Sequence, residues 1–165
     1  MHEKSIELLN KAVADELAAV HQYMYFHFHL DDQGYDLLSA LFKRTAIEEM
    51  NHVEVLAERI LFLKGEVNMK TAFDTRLVHD VTEMLAMSRQ MEEDSARDYN
   101  GWANECAANN DSVSKKIFEQ LVADEERHYS QYDIEHEKIQ QFGERYLALQ
   151  SLPRSQGAAT GAGSG

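Results

Sequence analysis

Proline and cysteine each occur once in this chain, and five of its eight glycines lie at position 143 or later. The missing helix breakers leave long stretches that nothing interrupts. The single cysteine, Cys106, rules out an internal disulfide and fits a reducing cytosol, where a small buried thiol is the ordinary role. No window approaches the roughly 18 uninterrupted apolar residues of a membrane span. The first residues carry Glu3 and Glu7 rather than an apolar segment, so no secretory signal is expected. Basic residues are also in deficit: 16 against 29 acidic ones, for a net charge of −13. That balance disfavours a nucleic-acid partner and suits a protein that attracts cations.

What remains is a helical pattern over a chain of 165 residues, long enough for one domain that buries roughly two-thirds of its unfolded surface. Residues 3–31 place Leu9, Val13, Glu16, Val20, Tyr23, Phe26 and Leu30 on one stripe. Asp31-Asp32-Gln33-Gly34 is a turn signal, with Gly34 free to take a positive φ. Residues 36–64 give a second stripe of Leu38, Phe42, Thr45, Glu49, His52, Leu56 and Leu63, with Gly65 expected as the glycine that caps it. Residues 66–80 hold no sustained period. Such a segment is too long for a simple helix–helix turn and is long enough to run the length of a bundle.

The pattern resumes over 81–107 with Val81, Leu85, Glu92, Ala96 and Tyr99, and Asn109-Asn110-Asp111-Ser112 then turns the chain, Asp111 or Ser112 serving as N-cap. Residues 113–142 align Phe118, Leu121, Glu125, His128 and Tyr132. After Gly143 a short piece, 144–152, ends at Pro153. The expected division is a domain over 1–153 and a flexible Gly/Ala/Ser tail over 154–165.

The spacing of the acids locates a site. Glu16 and Glu49 are 33 residues apart, and so are Glu92 and Glu125. The midpoint of each pair falls in a predicted turn, so each pair sits at one height in its hairpin, about 25 Å from the turn. Each hairpin sets a lone Glu beside a Glu-x-x-His pair, Glu49/His52 or Glu125/His128, whose members share a helix face. One such pair alone is a weak signal, because a helical glutamate is ordinarily solvated. Four acids on apolar stripes at matched heights, with both histidines, are a stronger one. Burying them without compensation would cost many kcal/mol, and two divalent cations would neutralise them. Carboxylate and imidazole suit iron, manganese or zinc. This is the ligand set already described for ferritin-like di-iron bundles. Glu92 has neighbours in Glu93 and Asp94, but it is the one that shares a stripe with Leu85, Ala96 and Tyr99.

The segments Glu16-Leu-Ala-Ala-Val-His-Gln-Tyr23, Ile47-Glu-Glu-Met-Asn-His52, Ala57-Glu-Arg-Ile-Leu-Phe-Leu-Lys-Gly65 and Ala123-Asp-Glu-Glu-Arg-His128 resemble bacterioferritin over roughly residues 5–150. The resemblance implies an all-α, ferritin-like four-helix bundle with a long crossover between the second and third helices and a short C-terminal fifth helix. It implies that Glu16, Glu49, His52, Glu92, Glu125 and His128 are catalytic ferroxidase ligands of two irons, Glu49 and Glu125 bridging and Glu16 and Glu92 terminal. It makes Met50 an axial ligand of haem b or a related iron porphyrin, paired with its copy in a two-fold-related subunit. Met50 lies about 100° from Glu49 around the helix, which turns it away from the metal site; the plain alternative is that it packs an interface.

Tyr23 is read either as a redox-active neighbour of the irons or as a core tyrosine bonded to a ligand carboxylate. His21, His27 and His29 read as ordinary surface or core histidines. Arg44 stands where some bacterioferritins carry a histidine, which leaves Glu48 as the acidic candidate for an inner-surface iron site.

The function implied is iron storage and detoxification in the cytoplasm. Fe(II) would be oxidised by O2 or H2O2 and stored as a mineral in a homo-oligomeric shell of 24 subunits, with a ferredoxin-type donor for release and with neither membrane nor nucleic acid as partner. The alternatives are a Dps-like dodecamer that consumes peroxide and a haem-carrying electron-transfer assembly. A DNA clamp is disfavoured by the lack of a lysine-rich arm, and a rubrerythrin-like peroxidase by the lack of a Cys-x-x-Cys iron module.

Overall fold

The computed structural model describes residues 2–151, and within them every regular element is a helix: α1 Glu3–Asp32, α2 Asp36–Phe62, α3 Val81–Ala108, α4 Ser112–Phe142 and α5 Glu144–Leu149. The expected tail over 154–165 lies outside the described residues. Among them, no helix is long and apolar enough to cross a membrane.

Local chemistry sets the ends. α1 closes in a Schellman motif. Gly34 takes φ +87°, the Gly34 N–H donates to the Asp31 carbonyl at 3.0 Å, and the Tyr35 N–H to the Leu30 carbonyl at 2.9 Å. α3 starts on Asp80, whose carboxylate accepts from the Glu83 N–H at 2.9 Å. α4 starts on Asp111 rather than Ser112, with the Ser114 N–H donating to its carboxylate at 3.1 Å. Arg59 of α2 reaches the same carboxylate at 2.6 Å and ties the lower end of the first hairpin to the second.

One cap differs from expectation. The left-handed residue after α2 is Lys64 (φ +65°), and Gly65 follows it, donating to the Ile60 carbonyl at 2.9 Å. The glycine serves a close approach instead: a Cβ at position 65 would sit 2.7 Å from Ile6 Cγ2. Gly65→Ala therefore should lower stability by about 1–3 kcal/mol through overpacking. Gly101, in mid-helix with nothing within 4 Å of an added Cβ, should gain about 0.5–1 kcal/mol as alanine. Thermal melts of the two variants should move in opposite directions.

The segment between α2 and α3 runs back alongside α1. Asn10 holds Glu66 and Asn68, the Ala72 N–H donates to the Ala14 carbonyl, Gln22 brackets the Arg76 backbone, and Gln33 holds the His79 carbonyl. Contacts climb α1 in order, so α3 begins at the end where α1 finished. The α1–α2 turn and the α3–α4 turn lie at opposite ends. α5 folds over the end that holds the α1–α2 turn, where the Asp36 N–H donates to the Gln150 carbonyl at 3.0 Å and Tyr146 bonds Glu135.

The interior has two apolar halves. One gathers Leu9, Val13, Leu56, Ile60, Tyr99 and Phe118; the other gathers Tyr23, Phe26, Leu30, Phe42, Leu85 and Tyr132. Helices of 27 to 31 residues are about 40–46 Å long. A point about 25 Å from both turns is the middle of the bundle, and there the polar side chains separate the two apolar halves.

Candidate metal centre

Each of the four long helices brings a buried glutamate to that middle layer, and α2 and α4 each add a histidine. Glu16, Glu49, Glu92 and Glu125 are 1–2% exposed, His52 7% and His128 0%. Of the neighbouring acids on α3, Glu93 is exposed and Asp94 pairs with Arg97 at 2.8 Å.

The side chains form two overlapping sets, Glu16/Glu49/His52/Glu125 and Glu49/Glu92/Glu125/His128, each with one donor atom per residue within 4.8 Å of the others. Glu49 and Glu125 belong to both. Glu49 turns Oε2 to His52 Nδ1 at 2.9 Å and Oε1 to His128 Nδ1 at 3.3 Å. Glu125 turns Oε1 to His52 Nδ1 at 3.2 Å and Oε2 to His128 Nδ1 at 3.8 Å. Glu16 Oε2 is 3.5 Å from His52 Nδ1, and Glu92 Oε2 3.6 Å from His128 Nδ1.

These atoms crowd together without satisfying one another. Both Glu49 oxygens, Glu92 Oε2, Glu125 Oε1 and both Nδ1 atoms are buried and lack a hydrogen-bond partner. Native interiors leave few polar atoms in that condition, and each costs about 1–3 kcal/mol. Six convergent oxygen and nitrogen donors fit a pair of divalent cations.

The surrounding groups point the donors inward. Tyr99 of α3 donates to Glu16 Oε1 at 2.5 Å, and Tyr23 of α1 donates to Glu92 Oε1 at 2.5 Å. Burial, then the facing carboxylate, pushes both phenols well above their usual range, so they stay protonated donors. His52 Nε2 meets Asp124 Oδ2 at 3.1 Å, and His128 Nε2 meets Glu48 Oε2 at 2.7 Å. Each imidazole thus keeps Nδ1 for the centre. Burial pushes Glu49 and Glu125 well up, and the charge of Glu16 and Glu92 adds to it. Burial acts the same way on Glu16 and Glu92, but the facing groups outweigh it and leave both low: His52 opposite Glu16, and Glu125 and His128 opposite Glu92. Burial opposes charge on the histidines, and the facing carboxylates overcome it, so both titrate above their usual range.

A cavity of about 240 Å³ opens onto this layer through the α1–α3 face, reaching Glu16, Glu49, Glu92 and Glu125 past Asp15 and Asp98. Burial, with the charges of Glu16 and Asp98, lifts the Asp15 carboxyl to about 7.

The family model for the ferritin-like domain matches residues 6–142. The bacterioferritin of Desulfovibrio desulfuricans is 35% identical over 158 residues, covering 95% of this chain and 88% of that protein. The Brucella melitensis bacterioferritin is 36% identical over 151 residues, covering 91% and 94%. The X-ray structure of the Desulfovibrio desulfuricans protein, solved for its diiron site in different catalytic states, superposes with a TM-score of 0.88 over 90% of this chain and 86% of that one. The chain belongs to the bacterioferritin family.

Other predicted residues of this bacterioferritin chain lie away from the centre. Met50 is 49% exposed on the outside of α2. His27 is tied to Ser39, His29 packs against Tyr25 and His79, and His21 is exposed. Cys106 is buried, 3.7 Å from Ser5 Oγ. Glu48 is not a free inner-surface ligand: its carboxylate is taken by His128 and Arg127 and held at about 2, where those partners outweigh its burial. Sequence reading missed the donor role of Tyr99 and the parts of Asp124 and Arg127. Tyr99 stood on the apolar stripe with Leu85 and Ala96, where a tyrosine reads as core; nothing in the helical pattern singled out the other two.

Proposed function

We propose that this chain takes up Fe(II), oxidises it to Fe(III) at the centre described above, and stores it as mineral inside a hollow homo-oligomeric shell. The observation that carries the reading is the shared pair Glu49 and Glu125, which turns two donor sets into one two-cation site in a water-poor interior. Glu16 and Glu92 would be terminal ligands, Glu49 and Glu125 bridges, and His52 and His128 would complete the two shells. When bound, the iron pair supplies two electrons to dioxygen or peroxide. The four carboxylates favour the more highly charged Fe(III), and the two imidazoles add neutral donors. Tyr23 and Tyr99 fix the terminal carboxylates from either side, and the two apolar halves keep bulk water out. The cavity past Asp15 and Asp98 offers Fe(II) a short acidic approach.

The shell size proposed is 24 copies, with haem held between two-fold-related copies by Met50, a ferredoxin-type donor for iron release, and a cytoplasmic location. Adding Fe(II) to the apo-protein while following oxidation stoichiometry and particle mass together tests the reading. Two Fe(II) per chain should be oxidised in a fast phase before slower mineral growth. Light scattering separates 24 copies of an 18.9 kDa chain from 12, the Dps-like alternative. Absence of a fast phase in a haem-containing particle would favour the electron-transfer alternative.

Loading should also release protons. In the apo-protein burial biases Glu49 and Glu125 toward the protonated form, and the facing carboxylates bias His52 and His128 toward the charged one. Two divalent cations require the reverse. Up to about four protons leave per pair of ions, so affinity rises with pH and falls on acidification, by up to about a hundredfold per ion per pH unit. Zn(II) titrations in two weakly buffered solutions measure that release directly; uptake without proton release would contradict it.

A further inference from the structure

The centre is almost two-fold symmetric, and one surface residue breaks the symmetry. His52 on α2 and His128 on α4 occupy matching places. Each Nε2 is held by the acid that precedes the bridging glutamate on the opposite helix, Asp124 or Glu48. The residue before His128 is Arg127, which grips both oxygens of Glu48: Nη2 to Oε2 at 2.5 Å and Nη1 to Oε1 at 3.4 Å. Its contact with Asp124 is only 3.5 Å. The residue before His52 is Asn51, uncharged and exposed. The outcome is unequal. Glu48 meets His128 at 2.7 Å and that residue is fully buried, whereas Asp124 meets His52 at 3.1 Å and that residue is 7% exposed.

We infer that Arg127 is a positioning residue which, by pinning Glu48, fixes the ring of His128 and makes the Glu92/His128 position retain its cation more tightly than the Glu16/His52 position. An orienting carboxylate fixes the tautomer and angle of a metal-bound imidazole, and losing it commonly weakens metal binding about ten- to a hundredfold. A bidentate guanidinium holds such a carboxylate in one orientation, which a single ammonium contact does not. The labile position is then the one beside His52, and iron exchange runs through it first. The inference rests on the two-cation reading above.

Zn(II), which takes the same donors without redox change, tests it. The apo-protein is titrated against a competing chelator, and crystals grown with one Zn(II) per chain are measured at the zinc edge. Because both histidines keep an orienting carboxylate, the native chain should bind two ions with affinities up to about tenfold apart, the first found beside His128. Arg127→Gln should draw the two affinities together and spread the single ion over both positions, and Arg127→Lys should fall between. Arg127 is a surface residue, and a melting curve for each variant checks that the bundle is intact. Equal occupancy in the native protein, or an unchanged preference in Arg127→Gln, overturns the inference while two bound ions uphold the centre. Failure to bind two ions at all sinks both.

Discussion

Replacing Glu125 with alanine should abolish fast Fe(II) oxidation and leave the bundle folded. Glu125 serves both cation positions, facing His52 with one oxygen and His128 with the other. Truncating it removes a ligand from each set and the bridge between them. We expect the fast phase to slow by about a thousandfold or more, equivalent to about 4 kcal/mol of barrier. Stability should follow a different rule. In the apo-protein burial and three neighbouring acids push this carboxyl well above its usual range, and Oε1 has no hydrogen-bond partner. Removing one member of a crowded acidic cluster relieves a cost even as it leaves a small cavity. The melting temperature of the apo-variant should therefore stay near that of the parent or rise. Glu49→Ala should behave alike, since Glu49 belongs to both donor sets. Lost helicity, or an unchanged oxidation rate, would count against the assignment.

Replacing Met50 with leucine should remove haem from the particle. Met50 is half exposed on α2, outside the bundle, and cannot reach the centre beneath it. Its exposed thioether would be a donor for the iron of a porphyrin held between copies, as proposed above. On the proposed reading Met50 and its copy in a second chain would hold that iron together, because an isologous contact repeats the same residue on both sides. Leucine keeps nearly the same volume and shape but offers no donor atom. The expected outcome is loss of the haem absorption bands from purified protein with particle mass unchanged. Retained haem bands would show that some other group holds the iron. Loss of assembly would mean that Met50 acts by packing the interface.

The sequence carried much of the centre because its chemistry leaves a regular mark. A buried acid on an apolar stripe is costly, so Glu16, Glu49 and Glu125 stood out at equal distances from two turns. Glu92 needed its helical phase to separate it from Glu93 and Asp94, and the fold turns only Glu92 inward. The helix ends were legible within a residue or two because glycine, asparagine and aspartate mark them. Lys64 was not, since a non-glycine residue in the left-handed region leaves no compositional sign, and Gly65 next to it drew the assignment. The parts of Arg127 and Asp124, and the pairing of Glu48 with Arg127 and His128, were hidden for a different reason. Exposed charges on a helix are usually solvated, and nothing in the one-dimensional pattern says that Arg127 on α4 reaches Glu48 on α2.

The central claim is that six side chains from four helices converge because two cations hold them. Anomalous scattering at the iron edge from iron-soaked crystals measures this most directly. Two peaks should appear at mid-height in each subunit, bridged by Glu49 and Glu125, with Glu16 and His52 on one and Glu92 and His128 on the other. Density without iron at that layer, or iron only at the surface, would contradict the account.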